Sequence, residues 1–502
     1  MARADGGTEI FIQEYQVQGA HLISKDAIEE AVYPYLGPGR TKEDVEKARL
    51  ALEKVYHDLG YQTVAVSVPA QSAAGGVIVI TVAETPVGRL RVAGARYFSP
   101  HQIKAMAPSL APGKVPNFNE VPRDLVALNQ NPDRRVTPVL RSGEIPGTVD
   151  IDLNVQDTLP LHGSLELNNR YSPNTTDLRV NGSVTDNNIG QIGDTAGFSF
   201  QLAPERLADA QVFSGYYLAP LPNNSDFSLM AQATRQDSNV STLGGVAVTG
   251  KGDIAGLRAI LKLPGAANFY ESLSGGVDYK HFDQTLEVAG NNLVAPITYY
   301  PFSLAYSATL ANAQHLTEFN ADITWHLRGL GSSPAAFNNR RYEADGGFIY
   351  VRGDLAHTLT LHSGWQLYGK MQLQVSSEAL LDSEQFTGGG LGTVRGYLES
   401  EVVGDDALVG SAELRTPALP FFKTAKPSEW RIYLFSDNGR FWIQNPLPEQ
   451  ESRFSLNSVG AGSRIRFNQN FNGSIDAGIP LVSQLYSKAF DPLVTFRLWA
   501  DF

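Results

Sequence analysis

Two hydrophobic periodicities divide the chain. Up to about residue 157, apolar positions recur at helical spacing between short extended runs; beyond it, strict alternation takes over. Phe319, Ala321, Ile323, Trp325 and Leu327 alternate with Asn320, Asp322, Thr324, His326 and Arg328. Trp365, Leu367, Gly369, Met371, Leu373 and Val375 alternate with Gln366, Tyr368, Lys370, Gln372, Gln374 and Ser376. A strand of that kind has one apolar and one polar face. Sixteen such stretches start near residues 161, 177, 194, 209, 226, 254, 269, 296, 316, 346, 364, 406, 429, 455, 471 and 492. A soluble sandwich alternates too, but so many consecutive strands of roughly ten residues favour an antiparallel membrane barrel.

Connection lengths give an independent check. Bacterial barrels have short periplasmic turns and longer outside loops. With the N-terminal part on the periplasmic side, every even-to-odd connection is expected to be short. Residues 264–268, 361–364 and 468–470 fit, and the odd-to-even connections 236–252, 329–346 and 377–405 read as long.

The first 157 residues follow another logic. Residues 10–17 are extended and residues 24–33 helical. A second helix starts at Thr41, whose hydroxyl can cap it while Asp44 reaches back as in a capping box. Val45, Ala48, Leu52, Val55 and Leu59 fall at helical spacing, and Gly60 ends the helix. Residues 63–68 and 77–82 read as a strand pair. Residues 90–156 repeat the order: an extended Leu90-Arg91-Val92, a helix from His101, another over 119–130, then strands over 136–140 and 149–155. Repetition of one βααββ unit is a strong organisational signal. The order resembles the polypeptide-transport-associated (POTRA) domain, whose modules sit in the periplasm and bind client chains. That resemblance implies POTRA domains over residues 1–84 and 85–157, followed by a barrel over 158–502.

Composition narrows the function classes. No run approaches the ~20 apolar residues of a membrane helix, and alternating strands account for the mean hydropathy of −0.17. The chain has no cysteine, which removes disulfides, zinc–thiolate sites and thiol nucleophiles. A net charge of −12 argues against a nucleic-acid partner. There is no Gly-x-Ser-x-Gly elbow, phosphate loop or His-rich metal cluster, so neither an enzyme nor a cofactor is expected. His162, His326, Glu166 and Glu413 read as polar wall positions. Met1 to Gly7 lack the apolar core of a secretory signal, so on the barrel reading this is the processed form.

One connection carries candidate chemistry. Its Gly-rich part runs Gly388-Gly389-Gly390-Leu391-Gly392-Thr393-Val394-Arg395-Gly396-Tyr397, and Phe435-Ser436-Asp437-Asn438-Gly439 follows about forty residues later. In the later strand Trp430, Ile432 and Leu434 take the lipid face, so Arg431, Tyr433, Phe435, Asp437 and Gly439 face the lumen by parity. Glycines let the connection fold back tightly or enter a wide barrel. Arg395 would then be an always-charged fork opposite a carboxylate. The bland reading makes Asp437-Asn438-Gly439 a turn and Arg395 an ordinary loop charge.

The whole chain resembles the two-partner secretion transporters (the ShlB/FhaC/HecB type), members of the superfamily of outer-membrane barrels with POTRA domains. The resemblance rests on Val394-Arg395-Gly396-Tyr397 as the family's loop motif and on Phe435, Asp437 and Gly439 as its barrel-wall motif. Asn131-Pro132-Asp133-Arg134-Arg135-Val136 also looks like the end of the second POTRA domain. Alternate apolar residues from Val494 to a terminal Phe502 resemble the signal read by the outer-membrane assembly machinery. The resemblance implies two POTRA domains, sixteen strands, and a lumenal loop whose Arg395 meets Asp437. It further implies export of a large exoprotein, unfolded in the periplasm, across the outer membrane of a Gram-negative bacterium without ATP, with lipid around the barrel. Some members start with a plug helix, for which the eight residues before the first strand leave no room; the expectation is that this branch lacks it or that it was trimmed. The runner-up is a barrel-assembly insertase, which usually carries more POTRA domains. A passive porin would leave residues 1–157 without purpose.

Overall fold

The computed structural model of the protein describes residues 9–73, 75–221, 224–241, 248–266, 268–283, 285–288, 291–294, 296–419, 429–448, 450–468 and 470–502. Met1 to Gly7, read above for a signal, lie outside the described residues. The chain divides into two units, residues 1–160 and 161–502.

The first unit starts with β1 (Ile10–Ile12), β2 (Glu14–Gln18), α1 (Lys25–Val32), β3 (Gly37–Arg40), α2 (Lys42–Asp58), β4 (Ala65–Ser67) and β5 (Val77–Ala83). Central β5 runs parallel to β2 and antiparallel to β4. The extended run over 10–17 breaks at Gln13, whose N–H donates to Gly76 O at 2.7 Å, and β1 pairs with β3 instead. At the α2 start, the Thr41 N–H donates to Asp44 Oδ2 at 3.0 Å. That bond holds the Asp44 carboxyl below the ordinary carboxylate range. Ala48, Leu52 and Tyr56 of α2 bury against Ile78, Ile80 and Val82 of β5.

The second half contains β6 (Val87–Ala93), α3 (Pro100–Ala105), α4 (Val121–Leu128), β7 (Arg134–Ser142) and β8 (Val149–Asp157). Its centre, β8, is parallel to β6 and antiparallel to β7, so the sheet repeats the β2-β5-β4 topology. Leu90, Ile103, Leu128, Ile151 and Leu153 fill its own core. The repeat extends to single atoms. Gly19 and Gly94 each follow the first strand of their sheet at φ +83° and +89°. A Cβ on either would lie 2.4 Å from the carbonyl oxygen of Val82 or Val155, which excludes any other residue there.

The second unit is a closed barrel. Its elements in order are β9 (Leu161–Asn168), β10 (Arg179–Asp186), β11 (Thr195–Leu202), β12 (Ala210–Leu221), β13 (Asn224–Ser241), β14 (Val248–Leu263), β15 (Phe269–Asp283), the hairpin β16 (Thr285–Val288) and β17 (Asn291–Val294), β18 (Ile297–Tyr299), β19 (Phe302–Ala311), β20 (His315–Trp325), α5 (Pro334–Arg340), β21 (Ile349–Thr360), β22 (Gln366–Ser376), β23 (Phe386–Gly388), β24 (Val402–Gly404), β25 (Asp406–Arg415), β26 (Glu429–Trp442), β27 (Arg453–Phe467), β28 (Phe471–Pro480) and β29 (Leu493–Asp501). Both β18 and β19 pair with β15, as one strand interrupted at Pro301, which gives sixteen antiparallel barrel strands. Leu165, Leu257, Leu355, Met371, Leu434, Ile475 and Leu498 are exposed on the outside, the apolar band that alternation requires.

The barrel closes between β29 and β9. Arg497 Nη2 and Nε donate to the two oxygens of Glu166 at 2.7 and 2.9 Å across that seam. The Phe502 N–H donates to Gly163 O at 2.8 Å and its own carbonyl accepts from Gly163 N. The side chain of Phe502 is exposed.

Three sequence expectations need correction. Residues 236–252 are not a long loop: β13 and β14 stay paired from Gln236↔Gly252 out to Ser241↔Val248. Beyond the membrane band both faces of a hairpin meet water, so the alternation that marks a strand fades. Conversely, the even-to-odd connection over residues 187–194 is longer than the odd-to-even one over 203–209, so the length rule holds only on average. Finally, His326 is not a wall residue: it follows β20, is buried among Tyr299, Phe337 and Phe348, and bonds Gly346 O at 2.5 Å and Leu330 O at 2.7 Å.

Candidate functional site

The connection from Ser376 to Asp406 lies inside the barrel. It doubles on itself as the β23–β24 hairpin, and Leu380, Leu381, Glu384, Val394, Arg395, Tyr397 and Asp405 along it are buried. Its seat is the polar face of β25, β26 and β28. Asp437 sits in mid-strand on β26, opposite Ser411 of β25, so it is not part of a turn.

Arg395 is held from both its backbone and its side chain. Its N–H and Nε donate to Asp437 Oδ2 at 3.1 and 2.7 Å, and Nη2 donates to Asp437 Oδ1 at 2.8 Å. The bidentate fork suits a planar guanidinium. Nη1 also donates to Glu413 Oε1 at 2.6 Å and lies 3.5 Å from Asp476 Oδ1. Ser411 Oγ accepts from Nη2 at 3.1 Å and donates to Asp437 Oδ1 at 2.6 Å. Three carboxylates at one buried cation would repel strongly without further compensation. Arg415 donates to Glu413 Oε2 at 2.7 Å, Arg464 lies 3.9 Å from Glu413, and the Tyr433 hydroxyl donates to Asp476 at 2.6 Å. Three arginines therefore face three acids.

The guanidinium carbon of Arg395 also stands 3.6 Å from the centre of the Phe435 ring. That ring lies flat because the next strand has glycine beneath it: a Cβ at Gly460 would meet Phe435 Cζ at 2.3 Å. Gly462 makes the same room for Tyr433. Opposite Gly460 comes Gly478, and there the loop touches the wall. A Cβ on Gly478 would lie 2.5 Å from Gly396 N and 2.7 Å from its Cα. Gly396 itself has φ +90°, and a Cβ on it would meet the Gly478 carbonyl carbon at 3.0 Å. Tyr397 donates its hydroxyl to Val482 O at 2.8 Å and accepts from the Asn457 N–H at 3.3 Å. Val394 is fully buried with Phe441 and Leu456, and a Cβ on Gly439 would meet its Cγ2 at 3.1 Å. Each of Val394, Arg395, Gly396, Tyr397, Phe435, Asp437 and Gly439 thus has a contact that its residue type permits.

Sequence reasoning missed the rest of the seat. Glu413, assigned above to wall lining, is the second partner of Arg395; Ser411, Asp476 and Gly478 were not singled out. Parity places all four on the inner face, but only register decides which residues share a height. Phe502 lies at the β29–β9 seam within the same barrel, apart from this cluster. Among the described residues, no group of acidic and histidine side chains has metal-site geometry.

The comparisons agree with this architecture. Residues 147–465 match the haemolysin secretion/activation protein ShlB/FhaC/HecB family, and residues 10–85 match the ShlB-type POTRA domain. The outer membrane transporter CdiB of Dickeya dadantii (strain 3937) is 22% identical over 406 residues, covering 76% of this chain and 68% of that protein. CdiB of Escherichia coli O6:K15:H31 (strain 536 / UPEC) is 23% identical over 496 residues, covering 93% and 78%. A solved CdiB from Escherichia coli superposes with a TM-score of 0.66 at 19% identity, covering 100% of this chain and 93% of that one. The chain belongs to the ShlB/FhaC/HecB family and is an outer-membrane transporter of two-partner secretion.

Proposed function

We propose that the seated loop obstructs the pore until a client displaces it, and that Arg395 is the latch to which it must return before each round of export. The observation that carries this reading is the Arg395 cluster: one loop cation bound by Asp437, Glu413 and Asp476 inside a closed barrel. Residues 1–84 and 85–157 act as two POTRA domains in the periplasm of a Gram-negative cell, and 158–502 form the pore. An unfolded exoprotein adds a strand to a POTRA sheet edge and is captured through main-chain hydrogen bonds. Folding of the emerging chain outside supplies the drive, since the outer membrane offers no ATP. The lipid-facing last strand ending at Phe502 addresses the barrel to the assembly machinery.

Deleting the gene tests the transporter reading against the insertase. One large exoprotein should vanish from the medium while the other outer-membrane barrels keep their abundance. A general loss of barrels would contradict it.

A further inference from the structure

Besides Arg395, Glu399 and Asp405, the loop has a further buried charge, Glu384, which faces other wall strands. Glu384 is 1% exposed and lies ahead of the β23–β24 hairpin. Its carboxylate accepts from Lys280 Nζ of β15 at 2.5 Å, from the Tyr299 hydroxyl of β18 at 2.5 Å and from the Tyr350 hydroxyl of β21 at 2.8 Å. Arg352 Nη2 donates to its backbone carbonyl at 2.8 Å. The preceding Leu380 and Leu381 are buried with Phe282, Tyr299, Phe348 and Phe337, the last from α5.

The two attachments share no partner: Arg395 holds to β25, β26 and β28, and Glu384 to β15, β18 and β21, so either can break alone. When Arg395 leaves, Glu413 keeps Arg415, Asp476 keeps the Tyr433 hydroxyl, and Asp437 keeps Ser411. Only Glu413 therefore keeps a cation, and Asp437 and Asp476 are left with neutral hydroxyls. At the root, Lys280 has its ion pair with Glu384 alone among the described residues, and the apolar contacts of Leu380 and Leu381 would be lost as well. An uncompensated buried charge is the costly case.

We propose that Glu384 is a positioning residue that fixes the loop root, residues 379–385, so that release at Arg395 swings only residues 386–404 about it. This rests on the latch reading above. The chain has no cysteine, so introduced thiols are unique labelling sites. Spin labels at Ser383→Cys or Gly392→Cys, each paired with one at the lipid-facing Leu355→Cys, report the root and the tip separately in the full-length protein. In Arg395→Ala the Gly392 distance distribution should broaden while that of Ser383 stays narrow. In Glu384→Ala the Ser383 distribution should broaden with Arg395 still seated, and Glu384→Gln combined with Lys280→Gln should narrow it again. An unchanged Ser383 distribution in Glu384→Ala, or one that broadens in Arg395→Ala, overturns the proposal. If Arg395→Ala moves neither label, the latch reading fails, and the root assignment stands or falls on the Glu384→Ala measurement.

Discussion

Arg395→Ala is expected to abolish secretion while leaving an assembled barrel in the membrane. The sixteen strands close through backbone hydrogen bonds that do not involve the loop, so the fold has no need of this side chain. The seat does. Removing one partner of a buried ion pair costs about 3–5 kcal/mol, largely from the charges left behind. At 1.4 kcal/mol per tenfold, this lowers the population of the seated loop by roughly 10²- to 4 × 10³-fold. The measurement is exoprotein in the medium, normalised to folded barrel in the membrane; wild-type secretion at normal abundance would contradict the latch. Exchanging the charges, Arg395→Asp with Asp437→Arg, is not expected to restore secretion. An acid at position 395 would face Glu413 and Asp476, which an isolated two-residue pairing does not anticipate.

Gly478→Val is expected to reproduce that loss without touching either motif. The new Cβ would fall 2.5 Å from Gly396 N and 2.9 Å from the Arg395 carbonyl carbon, and both obstacles are backbone. No rotamer change relieves such a clash, so the tip must rise from β28. Single-channel recordings should show higher conductance than wild type, with secretion reduced as in Arg395→Ala. Unchanged conductance and secretion would mean that the loop does not rest on Gly478.

How far the sequence reveals this site follows from what parity can and cannot carry. Alternation along residues 430–439 puts Asp437 on the inner face without any structure, and the two motifs single out Arg395 as its partner. The neighbours depend on register. Ser411 faces Asp437 across β25, and Asp476 reaches Arg395 from two strands away, past Gly462 and Tyr433. Those alignments are set by connections whose lengths do not report stagger. The glycines show the same limit. Gly396 stands within a recognisable motif, whereas Gly460 and Gly478 resemble any other strand glycine until the ring of Phe435 and the backbone of Gly396 are seen against them. The helical repeat of the first unit is legible because each module buries its own core, and the Gly19/Gly94 equivalence follows from that shared topology.

A reversible tether tests most directly whether the loop must move. Lys370 Nζ of β22 donates to Gly392 O at 3.4 Å, and a Cβ at Gly392 meets nothing within 4 Å. Lys370→Cys with Gly392→Cys therefore places the only two thiols of the chain on wall and tip, outside both motifs, within reach of a short cleavable thiol cross-linker. The uncross-linked double variant should secrete at the wild-type level, the cross-linked form should not, and cleavage of the linker should restore export. Undiminished secretion by fully cross-linked protein would show that the client passes with the loop in place.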